Sequence, residues 1–158
     1  VFPEKIRIRA YALQWVRPSL PPEARPVEHR FASGWVLVGF HHAGQNGLVP
    51  RRWGVFPPTR QFHLTLYWRR LPDAKEEVRF QVDLVHPDGN LRFPGSPPRN
   101  GVLERYPPQA WPVGPVVVDD RDFLLPVEAP PGSYPLILTV SYPGGPAESL
   151  TLDTIEVR

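Results

Sequence analysis

Proline most restricts what this chain can fold into. It occupies 23 of the 158 positions and leaves few uninterrupted windows longer than a dozen residues. Inside a helix a proline costs ~3 kcal/mol or more, because it removes a backbone donor and its ring clashes with the preceding turn. Long helices are therefore excluded, and with them coiled coils and helical bundles. The windows that remain alternate with a period of two. Over 61–69, Phe62, Leu64, Leu66 and Trp68 point one way, and His63, Thr65, Tyr67 and Arg69 the other. Over 77–86, Val78, Phe80, Val82 and Leu84 oppose Arg79, Gln81, Asp83 and Val85. Over 133–142, Tyr134, Leu136, Leu138, Val140 and Tyr142 oppose Ser133, Ile137, Thr139 and Ser141. Each pattern is that of a half-buried strand.

Further strands are expected at 5–15, 34–41, 115–125 and 149–157, with Val116-Val117-Val118 reading as a buried run. A slip of phase between Leu152 and Ile155 marks a bulge. His86-Pro87-Asp88-Gly89-Asn90 should close a hairpin onto Leu91 and Phe93. Pro130-Pro131-Gly132 and Pro143-Gly144-Gly145-Pro146 bracket the 133–142 strand. Asp73 to Glu77 is the one helix-permissive piece, with room for about one turn. Short strands separated by turn signals predict an all-β fold: a single antiparallel β-sandwich over 1–158, immunoglobulin- or fibronectin-III-like, with long Pro-rich loops.

Composition agrees. Pro and Gly total 23 + 12 = 35 of 158 residues, about 22% and below the ~25–30% that argues for disorder. Basic and acidic residues number 18 and 16, without a basic block, so no nucleic-acid footprint is expected. Absence of Cys excludes a disulfide framework, a thiol nucleophile and a Cys-ligated metal. No apolar stretch reaches the ~18–20 residues that span a bilayer, so this chain is not expected to insert in a membrane by itself. The first residue is Val1 rather than Met, which suggests a processed product, a trimmed chain or a portion of something larger, with signal-peptide removal as one route. Arg and Pro enrichment suits a thermostable protein.

Three segments escape the strand rhythm: Arg17 to Arg30, His41 to Arg60 and Ser96 to Gly114. Loops of this length are uncommon in compact domains and are usually functional or pinned against a partner. The middle one carries Arg51, Arg52, Trp53 and Phe56, and the last carries Tyr106. Aromatic side chains beside Arg are what protein interfaces favour in their hot spots. Those five residues are the candidate partner- or ligand-binding set. Trp35 and Trp68 read as core, and Trp111 as a packing residue.

Other chemistry finds less support. His41 and His42 are adjacent, so on a strand they face opposite sides and cannot share one ion. Asp119, Asp120 and Asp122 could hold Ca²⁺ but lack a calcium-loop pattern; a solvated turn or a charge-guarded strand edge is the expectation. No Gly-x-Ser-x-Gly elbow or phosphate loop is present. No catalytic residue, metal or cofactor is called for.

Several motifs occur in a recognisable order: "LTLYWRRLPD", "VDLVHPDGNL", "SPP", "YPPQAWPVGPVVVDDRDFLLP" and "APPGSYPLILTVSYP". Over about 62–142 the chain resembles the β-sandwich domain at the extracytoplasmic end of bacterial polytopic mannosyltransferase-like membrane proteins. The matching positions are Tyr67, Trp68, Asp88, Gly89, Trp111, Gly114, Asp119, Pro131, Gly132 and Tyr134. These are structural punctuation, so the resemblance implies a fold and an extracytoplasmic setting (secreted, cell surface or periplasmic) and carries over no catalytic residue. The functional expectation is a non-catalytic subunit acting in protein–protein assembly. The alternative is a carbohydrate-binding module that stacks sugars on exposed aromatics.

Overall fold

The computed structural model describes residues 15–52, 54–98 and 107–158. Its strands are β1 (Val16–Arg17), β2 (Arg25–Arg30), β3 (Trp35–His42), β4 (Thr59–Arg70), β5 (Arg79–Val85), β6 (Arg92–Pro94), β7 (Val116–Pro126), β8 (Gly132–Ser141) and β9 (Glu148–Val157). They form two antiparallel sheets: five strands in the order β1-β7-β4-β3-β2, and four in the order β6-β5-β8-β9. In immunoglobulin terms β4 and β7 take the places of strands B and E, and β5, β8 and β9 those of C, F and G. The fold is an antiparallel β-sandwich of that type.

Alternation decides which side chains fill the space between the sheets. Leu64, Leu66 and Trp68 of β4 meet Phe80, Val82 and Leu84 of β5 and Leu136 and Leu138 of β8 in one buried cluster. Trp68 stacks on Phe80 with ring centroids 4.0 Å apart, and Trp35 meets Phe80 and Trp111 edge to face. Trp35, Trp68 and Trp111 are all core, as their sequence context predicts. A second, smaller cluster lies outside the five-stranded sheet. There Val36, Val38, Tyr67 and Val116 are covered by Leu20 and Ala24 of the 18–24 segment.

Turns fall where their chemistry placed them. The β5–β6 hairpin closes through Gly89 at φ 79°, and Asn90 N–H donates to Asp88 Oδ1 at 2.8 Å. The phase slip in β9 is a bulge: Leu136 pairs with Asp153 and Ile137 with Thr151, so Leu152 is the extra residue. In β3 a second bulge at Val38 brings Gly39 so close to β2 that a Cβ there would sit 2.6 Å from the Arg25 carbonyl oxygen. Only glycine fits such an approach.

Tyr134, at the start of β8, donates its hydroxyl to the Pro130 carbonyl at 2.6 Å. This is the tyrosine-corner arrangement at the β7–β8 crossing. Tyr134→Phe leaves that carbonyl without its partner, and we expect a loss of ~1–2 kcal/mol in urea unfolding. A change too small to resolve would show that the corner does not help hold the β7–β8 connection.

Four expectations need correction. Residues 25–30 are not loop but strand β2, which pairs with β3 despite Pro26 because it lies at the sheet edge. The 71–78 segment makes a hydrogen-bonded turn, Ala74 N–H to Leu71 O, rather than a helical one. Asp119 is neither in a solvated turn nor guarding an edge: it is 0% exposed and faces the core. The 41–60 segment is not structureless, since it is pinned to both sheets, as detailed below. The strand expected at 5–15 lies outside the described residues except for Trp15.

Candidate functional site

The 43–58 segment is anchored twice. Leu48 pairs in parallel with Val157, receiving Arg158 N–H on its carbonyl and donating its own N–H to Glu156 O. Arg51 pairs with Thr59 through two backbone hydrogen bonds of 2.8 and 3.0 Å. Residues 52 and 54–58 therefore project from the start of β4, with Pro57-Pro58 stiffening the return limb of this loop. Val55 is 93% exposed and Phe56 69% exposed at its tip, flanked by the exposed Arg51 and Arg52.

Arg60 secures the base of this loop. The side chain is buried, and its guanidinium donates to the carbonyls of Pro126, Ala129 and Arg158 at 2.9, 3.1 and 2.8 Å. The end of β7 is thereby tied to the beginning of β4, where Thr59 pairs with Pro126.

Beside the loop lies an open cleft of about 860 Å³, bordered by Val49, Arg51, His63, Ser96, Asp122 and Leu124. Val49 and Leu124 add exposed apolar surface to its rim. On its wall stand His63 of β4 and Asp122 of β7, and beside them on the same outer face of the sheet lie Thr65 and Asp120. His63 Nδ1 lies 2.6 Å from Asp122 Oδ1, and Nε2 lies 3.1 Å from Asp120 Oδ1. Thr65 donates its hydroxyl to Asp120 Oδ1 at 2.8 Å. Partial burial works to lower the His63 pKa. The hydrogen bonds and negative charge of Asp122 and Asp120 outweigh it and leave the value raised above 6.5.

The set resembles a triad only superficially. Thr65 Oγ1 is 3.4 Å from His63 Nε2 and is already committed to Asp120. The residue is also only 8% exposed, and its hydroxyl is not presented to the cleft as a free nucleophile. Nor do the donors converge on a point: the two carboxylates sit on opposite sides of the imidazole ring. Among the described residues no group of three or more His, Cys, Asp or Glu is placed to hold a metal ion.

His42 forms a separate dyad across the sandwich. Gly44 N–H donates to Nδ1 at 3.0 Å, which leaves Nε2 as the protonated nitrogen facing Asp153 Oδ2 at 2.8 Å. Burial works to raise the Asp153 pKa, but His42, the Thr154 N–H and Arg25 together hold it below the ordinary range. Both imidazole nitrogens are occupied, and the dyad ties β3 to β9.

Of the five residues singled out from sequence, Arg51, Arg52 and Phe56 share the exposed loop, while Trp53 and Tyr106 lie outside the described residues. The His63 cluster was missed. Its carboxylates were noted as a run on one strand, but their partner lies 57 to 59 positions away, and no local spacing signals such a meeting.

No protein-family model matches the chain, and no curated protein does. Among solved structures it is similar to a DUF4426 family protein from Pseudomonas aeruginosa, with 12% identity, 82% of this chain and 94% of that chain covered, and a TM-score of 0.37. A likeness of that size bears on neither function nor site.

Proposed function

We propose that the chain is a non-catalytic binding module that works outside the cytoplasm and docks to a partner protein through the 51–58 loop. The observation that carries this reading is the exposure of Val55 and Phe56 at the tip of a doubly anchored loop. Apolar side chains held out in water cost hydration that only a partner can recover. Anchoring matters because a loop already ordered loses little entropy on binding. The 43–58 segment holds two arginines and no carboxylate, so the fitting partner presents an apolar recess rimmed by acidic groups. The ordered motifs over 62–142 support the extracytoplasmic setting.

The carbohydrate reading gains nothing from the described tryptophans. Trp15, Trp35, Trp68 and Trp111 are all buried, and none offers a ring face for a sugar.

A photo-crosslinking side chain placed at Phe56 and exposed to the native extract tests the docking reading. The control site is Val113, 51% exposed at the other end of β4, where it bridges Arg70. We expect one discrete crosslinked protein at 56, absent at 113 and lost in R51E/R52E. The V55S/F56S variant should fold with stability within ~0.5 kcal/mol of wild type, yet bind that partner at least ~30-fold more weakly, the loss of a hot spot. Equal crosslinking at both sites, or unchanged binding by V55S/F56S, would sink the proposal.

A further inference from the structure

We propose that His63, seated between Asp120 and Asp122, is a proton-operated clasp joining β4 to β7 on the wall of the cleft. The inference stands on geometry and is independent of the docking reading. A neutral imidazole has one N–H and one lone pair, whereas ionised carboxylates only accept. Both ring nitrogens of His63 face carboxylate oxygens, at 2.6 and 3.1 Å. Both contacts are hydrogen bonds only when the ring is an imidazolium. In that state one cation ties two carboxylates of β7 to β4.

Thr65 supplies the second state. Its hydroxyl stands 2.8 Å from Asp120 Oδ1 and 3.4 Å from His63 Nε2. When Nε2 releases its proton to solvent, which reaches this half-exposed ring, the lone pair left behind repels Asp120. The same lone pair can accept the Thr65 hydrogen by rotation of the hydroxyl alone. The clasp then opens on the Asp120 side, and the cleft wall gains one unit of negative charge.

Other groups do not offset the two carboxylates. Asp120 and Asp122 face the ring from β7. On β3, His41 stands beside Thr65 on the same face, and Arg51 borders the cleft. Neither His41 nor Arg51 contributes to the upward shift, whose electrostatic sources are Asp120 and Asp122.

The sign follows from linkage. A histidine raised in the folded state binds its proton more tightly there than in the unfolded chain. Its stabilisation is complete below the ordinary value of 6.5 and is lost as the pH rises through the raised value. Nitrogen-detected NMR of the imidazoles should show His63 mostly doubly protonated at pH 6.5, the ordinary histidine midpoint, and its raised midpoint should move down in D122N. In parallel, unfolding of wild type and H63Q is compared from about pH 5.5 to about pH 8.5, a span that brackets histidine titration. Wild type should lose stability relative to H63Q as the pH rises, since H63Q retains the other four histidines. A His63 midpoint at or below 6.5, or one unmoved by D122N, would overturn the clasp. The wild-type titration decides the matter even if H63Q fails to fold.

Discussion

Replacing Arg121 with Met is expected to destabilise the sandwich by ~3–5 kcal/mol, measured by denaturant unfolding at neutral pH. The reason lies in where β7 places its alternate side chains. Asp119 and Arg121 point into the core, and the guanidinium grips the carboxylate with Nε to Oδ1 at 2.9 Å and Nη2 to Oδ2 at 3.1 Å. Arg121 Nη2 also reaches across the sandwich to the Phe80 carbonyl at 3.1 Å. Removing the arginine strands a buried carboxylate and frees a carbonyl of the opposite sheet. The double variant D119N/R121M removes the stranded charge and should recover a large part of the loss. If it is no more stable than R121M, the cost lies in packing and not in charge.

This pair has a pH signature too. Burial pushes the Asp119 carboxyl above its ordinary range, against the pull of Arg121 and of the Trp68 N–H. An acid raised in this way is favoured in its protonated form by folding. The folded chain is therefore helped below the ordinary carboxylate range and loses that help as the pH rises through the folded value. R121M removes the main opposing pull, so its deficit should shrink on acidification toward pH ~4, near the unperturbed Asp value. A deficit that instead grows in acid would contradict the assignment of Asp119 as the stranded group.

Trp68→Ala is the second large effect, with an expected loss of ~3–5 kcal/mol. Trp68 is 0% exposed, stacks on Phe80 of the facing sheet, and donates its indole N–H to Asp119 Oδ2 at 3.2 Å. Truncation therefore leaves a cavity between the sheets and withdraws one donor from a buried carboxylate. Trp68→Phe keeps much of the stacking and forfeits the N–H, so its deficit should be clearly smaller. Because Trp68 and Arg121 serve the same carboxylate, the W68F and R121M losses should not add. Strict additivity would mean that the indole bond to Asp119 carries no weight.

Both experiments bear on the cleft. The alternation that turns Asp119 and Arg121 inward turns Asp120 and Asp122 outward against His63. A backbone shift in β7 caused by R121M would be felt at the clasp as a changed His63 titration.

Phe62, Leu64, Leu66 and Trp68 could be assigned to one face of β4 from the chain alone, because a strand's two-residue period is a local property. The β5–β6 hairpin and the β9 bulge were readable for the same reason: a turn or a phase slip is written in five or six consecutive residues. Arg51, Arg52 and Phe56 could be picked out by residue type and loop setting. Their exposure came from the pairing of Arg51 with Thr59 and of Leu48 with Val157, contacts of the folded state.

β2 was hidden by its Pro26, because a proline that stops a central strand is harmless on an edge, and edge position is unknown until the sheet is assembled. Asp119 looked like surface because its type is usually exposed, and only the bidentate Arg121 and the Trp68 N–H make its burial tolerable. His63 met Asp120 and Asp122 through the register of β4 on β7, which is set by the packing of two sheets and not by any neighbouring residue. Side-chain direction along each strand thus belonged to the linear chain, whereas which strands lie side by side, and so which charges meet, belonged to the tertiary structure.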